Sequence, residues 1–207
     1  MTLQLVTPPA EEPVTLSEAK LHLRVDFDDD NDLINMLIEA ARVAVETITL
    51  RQLVTARWRM VLDSFPGPSM MGVPFGQPFS LPDHAILIPK APIANVVSIE
   101  YQDMGGVWQT MPATDYVVDS ACEPARITPI FGRIWPINLP QIGSVRVMFD
   151  AGYGDATTVP AGLKSWMKLR IGSLYAHREE VALMSRGQIQ ALPFVDGLLD
   201  PYKLVLQ

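Results

Sequence analysis

Five aspartates, Asp26, Asp28, Asp29, Asp30 and Asp32, crowd into residues 26–32, a density that invites a cation. A calcium loop of the EF-hand type needs oxygen ligands at its first, third and fifth positions, a Gly at the sixth and a bidentate Glu at the twelfth. Counted from Asp26, those last two places hold Asn31 and Leu37, so the turn residue and the strongest ligand are both missing. The residues that follow, Leu33, Ile34, Leu37, Ile38, Ala41, Val45 and Ile48, recur at helical spacing as one apolar stripe. Acids ahead of such a stripe cap orphan backbone N–H groups and sit at the positive end of the helix dipole. The run is read as a helix start, with Asp30 the N-cap and Asp28 or Asp29 as alternatives, and no metal site is assigned.

Other groups with chemical potential are scattered. "AGYGDA" (151–156) offers Gly-x-Gly, but Thr157 stands where a dinucleotide fingerprint needs its third Gly, and the surrounding strands look antiparallel. Cys122 has no second cysteine for a disulfide or a thiolate metal site, and His22, His84 and His177 are all distant from it in sequence. Asp115, Asp119, Asp150 and Asp155 fall near strand ends, where acids are usually solvated turn residues. Phosphate loops of the Walker type, nucleophile elbows and paired His-Glu metal helices are not found. No catalytic, cofactor-binding or metal-binding residue is therefore assigned, and no cofactor is expected.

Composition narrows the classes further. At 207 residues, 48% of them apolar, the chain can bury a real core in one or two domains. A net charge of −7 argues against a protein whose main task is gripping a phosphate backbone, though not against DNA passing nearby. No apolar run approaches the length of a membrane span, and the N-terminus lacks the basic-then-apolar order of a signal peptide; the chain reads as cytosolic, with no membrane partner.

The elements that would position these residues fall into three blocks. Thr15-Leu16-Ser17-Glu18 has the form of a capping box and starts a short helix with Leu16, Ala19, Leu23 and Leu21 as its apolar contacts; "TPPAEEP" before it is an extended lead-in. The acidic turn and the long helix follow. Past residue 52 the period changes to two, as in "VTARWRMVLD", and "AILI", "NVVSIEYQD", "VWQTM", "DYVVD", "ARIT" and "SVRVMF" read as further short strands. Helix returns from Pro160 to His177, with Gly172 inside it implying close packing of another helix. The fold class is thus α+β: a helical body of two N-terminal helices plus a late helix, formed by residues 1–52 and 156–207, with a small antiparallel β domain inserted at 53–155.

Two apolar segments have no regular period. Residues 65–82 carry Met70, Met71, Phe75 and Phe79 among five prolines and three glycines. They form either a loop folded over the β domain or an arm that orders on a partner, a neighbouring subunit first. Residues 184–207 present Leu192, Phe194, Leu198, Leu199 and Tyr202, broken by Gly187, Pro193, Gly197 and Pro201, with one short helix expected near 194–200. This tail is read as a docking segment for another chain, so deleting 188–207 is expected to leave the stability of the body unchanged.

The order "LVTPP", "EPVTLSEAKLHLRVD", acidic turn, "LINMLIEAARVAVE", "LVTARW", "DYVVD", "WP", "FDAGYGD", "VP", "LK" and "YAHRE" resembles the head-to-tail connector (adaptor) proteins of tailed bacteriophages. The resemblance is to the branch with an inserted β domain, found also in phage-derived gene transfer agents, and it covers most of residues 3–181. It implies a structural virion protein without catalytic residues, assembled in the bacterial host cytoplasm and located at the head-tail interface. Its implied partners are the portal protein, a stopper or tail-completion protein, and copies of itself in a ring, commonly a dodecamer, through which DNA passes without sequence-specific binding. Two features depart from the family's pattern. Leu50 stands where a Gly often ends the second helix, so that helix is expected to run on or to end without a left-handed cap, and the 65–82 loop is unusually long. The residues alone also admit a small hydrolase or lyase using strand-end carboxylates, or a carbohydrate- or protein-binding β module.

Overall fold

The computed structural model describes residues 1–67, 84–177 and 197–204. The chain divides into two compact units, one built from Met1–Pro9 and Thr55–Gly152, the other from Ala10–Val54 and the described part of Tyr153–Leu204. The α+β class is as expected.

The helical unit contains α1 (Leu16–Leu23), α2 (Asn31–Thr49), α3 (Ala161–Ala176) and a short 3-10 turn, Asp200–Tyr202. The capping box forms as read: the Glu18 N–H donates to Thr15 Oγ1 at 3.2 Å, and the Thr15 N–H donates to Glu18 Oε2 at 3.1 Å. Ala19, Ile34, Ile38, Ala41 and Val45 bury one face of α1 and α2 against Leu163, Trp166, Met167 and Ile171 of α3. Leu21, counted among the contacts of α1, instead lies exposed, and Ile48 is half exposed at the end of the α2 stripe. A Cβ on Gly172 would sit 3.6 Å from His22 of α1, so α1 does approach α3 there, at ordinary contact distance.

Asp30 occupies the N-cap position of α2 but makes no side-chain cap bond; its carboxylate accepts the Tyr175 hydroxyl instead. Asp28 accepts from Lys20 Nζ at 2.6 Å and from Asn31 Nδ2 at 3.1 Å, stitching the acidic turn to α1. At its far end α2 stops at Leu50, whose φ of 57° is left-handed. The expectation of a helix without such a cap is corrected: the conformation is reached without glycine, at a cost of roughly 1–2 kcal/mol. The following residues offset it. Glu46 Oε1 accepts from Gln52 Nε2 at 2.6 Å and from the Leu53 N–H at 3.1 Å, while Arg42 bonds Glu12 at 2.8 Å and approaches Glu46 at 3.4 Å. Because these buried groups are mutually bonded, the turn after α2 can be taken into the core.

The β unit holds two antiparallel sheets. One has the order β1 (Thr2–Thr7), β2 (Ala56–Leu62), β8 (Val145–Ala151), β4 (Ile93–Gln102), β5 (Trp108–Thr110); the other has β3 (Ile86–Ile88), β7 (Ala125–Pro129), β6 (Tyr116–Asp119). Central strand β8 alternates between buried and half-buried residues along its whole length, and Val145, Val147 and Phe149 join Met60, Ile99, Ile88 and Ile127 in a core shared by both sheets. Residues 1–9 were expected to accompany the helices. They segregate with the β unit because β1 pairs with β2 from Thr2↔Val61 to Thr7↔Arg57, leaving it an edge strand.

Candidate interaction surface

The strand-end carboxylates do not converge. Asp150 is clamped by Arg57 of the neighbouring strand at 2.7 and 3.0 Å, and Asp115 lies 3.8 Å from Arg133. Asp155 is held below the usual carboxylate range, first by the Thr157 hydroxyl and then by the N–H groups of Thr157 and Thr158. Its turn requires glycine at 154, where φ is +125° and a Cβ would stand 2.9 Å from Thr158 Oγ1. Asp119 accepts from Cys122 and from Arg126 at 2.8 Å, which lowers its pKa, while the same contact with Asp119, followed by burial, pushes the Cys122 thiol up. A thiol made more reluctant to ionise is the reverse of an activated nucleophile. Among the described residues no group of three or more His, Cys, Asp or Glu could hold a metal, and no helix is long and apolar enough to cross a membrane.

Of the docking residues expected in the tail, Leu199 is completely buried in the core of the helical unit, and Leu198 and Tyr202 pack against the same cluster. Tyr202 lies over Gly162 of α3, where a Cβ would come within 3.0 Å of its hydroxyl. The Leu204 N–H donates to Thr49 O at 2.9 Å, satisfying a carbonyl at the end of α2, and Arg51 Nε in turn donates to Tyr202 O at 2.5 Å. Leu199 is therefore part of the core of its own chain, a correction, while Leu198 and Tyr202 remain half buried against that core. Of the short helix expected near 194–200, residues 194–196 lie outside the described residues and Gly197 is helical; a 3-10 turn follows at Asp200–Tyr202. Leu192, Phe194, Met70, Met71, Phe75 and Phe79 lie outside the described residues.

The surface that sequence reading missed is the loop between β7 and β8. Phe131 is fully exposed, Ile134 is 86% exposed, and Ile137 and Ile142 are similarly bare. Four bare large apolar side chains within one loop mark a contact site more often than an accident. The backbone beneath it is fixed. Trp135 turns inward, stacks on Phe65 at 4.8 Å and donates its indole N–H to His84 O at 2.6 Å. Asn138 bonds Asp63 O, Leu139 O and Ser144 Oγ, and the Leu139 N–H donates to Gln102 O at 2.9 Å. Beside the exposed residues opens a cleft of about 220 Å³ lined by Tyr101, Met111, Pro112, Asp115, Arg133, Ile134 and Pro136. The signal in the sequence was "IFGRIWPINLPQI", too apolar for a connection in water.

The helical unit has a bare face too. On the side of α2 away from the core, Met36 is 69% exposed and Val43 is half exposed. These stand among Asp32, Glu39 and Thr47, so the outward side of α2 is mixed.

Fold and surface together define a two-unit α+β protein whose outward features suit contacts with other chains. Residues 13–104 match the family model described as "Phage gp6-like head-tail connector protein". The resemblance read from the sequence is borne out. Solved structures agree on the fold. A chain of the "Virion of native gene transfer agent (GTA) particle" superposes with TM-score 0.76 at 22% identity, covering 100% of this chain and 97% of its own. Chains of the "Neck of empty GTA particle computed with C6 symmetry" and the "Neck of native GTA particle computed with C12 symmetry" give 0.74 and 0.72 with the same identity and coverage. No curated protein matches the chain.

Proposed function

We propose that this chain is a structural head-to-tail connector of a phage or phage-like particle, forming a ring under the portal and joining the DNA-filled head to the stopper or tail. The observation that carries the reading is the likeness of fold along the whole chain to neck chains of a gene transfer agent, with the connector family model matching residues 13–104. The protein acts by surface, not by catalysis, in keeping with strand-end acids each bound to a local partner and a thiol whose ionisation is suppressed. Its place is the neck of the particle, its ring is a dodecamer, and DNA crosses the ring without being read. Met70, Met71, Phe75 and Phe79, with Leu192 and Phe194, remain the candidates for contact with the portal or a neighbouring copy.

Ring closure is driven by the portal. A template that holds weakly associating subunits side by side raises their effective concentration. Electron microscopy of the purified chain mixed with its cognate portal tests the function: added ring density at the tail-facing end is expected. Portals that stay bare, or tailed particles assembled by a host lacking this chain, would overturn it.

A further inference from the structure

Strand β1 is an N-terminal arm held along one edge. It pairs with β2 and, among the described residues, with no other strand. Of its six residues only Leu3 is drawn toward the core of the β unit, and that residue is half-buried; Thr2, Gln4, Leu5, Val6 and Thr7 are exposed. The chain then runs through Pro8 and Pro9 and enters the helical unit at Ala10. It is gripped there at once, as Glu11 accepts the Ala156 N–H at 2.7 Å and Glu12 accepts Arg42 Nε at 2.8 Å. A stem of two prolines thus separates a paired strand from an anchored lead-in. We infer that in the ring β1 crosses to the next copy and fills the same place along that copy's β2, so that each chain gives its N-terminal strand to one neighbour and receives one from the other. This rests on the ring reading above.

The occupant is selected by identity. β2 accepts this strand in a defined register, from Thr2↔Val61 to Thr7↔Arg57, and β1 of another copy carries the same residues. Every ladder bond and the Leu3 contact made within one chain can therefore be made between two. What differs is the course of the stem and the cost of bringing two chains together, which is why exchange of an identical element is a low-cost route to assembly. Little holds the arm at home, since one half-buried leucine is the main apolar contact given up while it moves. The stem suits the crossing: proline fixes φ, the residue before it is held extended, and the pair forms a stiff spacer in place of a tight return. The ten residues ahead of the Glu11 anchor span at most about 33–36 Å, enough to reach a chain alongside. Edge strands are commonly guarded by charged side chains, and β1 has none to repel a neighbour. Arm and acceptor edge are also different surfaces, so the contact is head-to-tail, as a closed ring demands. On a portal that sets copies side by side, effective concentration offsets the cost of association.

Disulfides across the β1–β2 register test the exchange. In a Cys122→Ser background, Gln4→Cys and Arg59→Cys stand opposite each other, and directly opposed strand residues have Cα atoms about 4.5–5.5 Å apart, within disulfide reach. Oxidised as the free chain, the double variant is locked with its own arm in place. It is expected to form rings on cognate portals at least about tenfold less than its reduced form, and reductant should reverse the loss. Added reduced to portals and oxidised there, it is expected to run on a denaturing gel as a ladder ending at the ring size, because each disulfide then joins two chains. Thr2→Cys with Val61→Cys, in the same register, should repeat both results and guards against a folding defect peculiar to the first pair. Locked chains that form rings as readily as reduced ones, or rings whose disulfides all lie within single chains, would overturn the exchange and leave the connector function standing. Portals left bare by the unaltered chain would remove the ring reading, and the exchange with it.

Discussion

Residues 198–204 and residues 130–142 are both apolar, both interrupted by proline or flanked by glycine, and neither has a regular period, yet their fates are opposite. The first puts Leu199 in the core and closes the end of α2; the second holds Phe131 and three isoleucines out into solvent. The difference lies in what each finds on its own chain. Near residue 199 the chain meets Gly162, over which Tyr202 packs, and the Thr49 carbonyl, which accepts the Leu204 N–H. In the loop, Trp135 and Asn138 already fill the inward positions, so the remaining apolar side chains have nowhere to go but outward. Hydrophobicity reports that surface will be buried, and not by whom.

That contrast can be broken most directly by removing each segment's apolar groups and measuring folding and assembly apart. Deleting residues 197–207 takes Leu199 and Tyr202 from the helical core and should cost upward of about 4 kcal/mol in denaturant unfolding. An unchanged midpoint would mean that the tail is a free docking arm after all. Leu199→Ala alone should cost about 2–5 kcal/mol, depending on how far the site collapses. Phe131→Asp should change stability by less than about 0.5 kcal/mol yet abolish ring formation on portals, seen by electron microscopy. Were Phe131→Asp to unfold the β unit, the loop would be core and not display.

Acid should reach the helical unit without touching the loop's apolar display. Glu18 and Asp155 are held below their ordinary pKa, Glu18 by the Thr15 N–H first and Asp155 by Thr157 first, although burial works slightly the other way in both. Carboxylates with depressed folded-state pKa lend stability that is present above the unfolded value, about 4, and lost as pH falls through the folded one. Thermal unfolding followed from pH 6 downward should therefore be flat at first and fall only below about pH 4. Asn at position 155 should flatten part of that fall. The smallest effect is expected at Leu50→Gly, which removes left-handed strain and should stabilise by up to about 1 kcal/mol, less whatever packing the leucine provides.

Much of the fold was legible. The capping box at Thr15 and Glu18, the α2 stripe, the period-two strands and the helix after Pro160 are local patterns whose physics needs only neighbouring residues. Strand β1 escaped because six uncharged residues at a chain end look like a lead-in, although Leu3 and Leu5 alternate with polar neighbours; only pairing with β2 makes them a strand. The interaction surface was the least legible part. "IFGRIWPINLPQI" announced itself by composition, but which of its residues face in depends on Phe65, His84 and Asp63, far away in sequence.

By itself the sequence determined the period of each element, the caps that start α1, the absence of any motif with catalytic spacing, and an order of motifs resembling one family of connectors. Those are short-range facts, set by dihedral preference, side-chain spacing and charge along the chain. Tertiary structure alone decided that Leu50 could turn left-handed without glycine, because Glu46 and Gln52 wait beneath the turn and Leu204 reaches Thr49 from the other end of the chain. It alone decided that Leu199 belongs inside and Phe131 outside. Burial is a property of the groove that receives a side chain, and a groove exists only after distant segments have met.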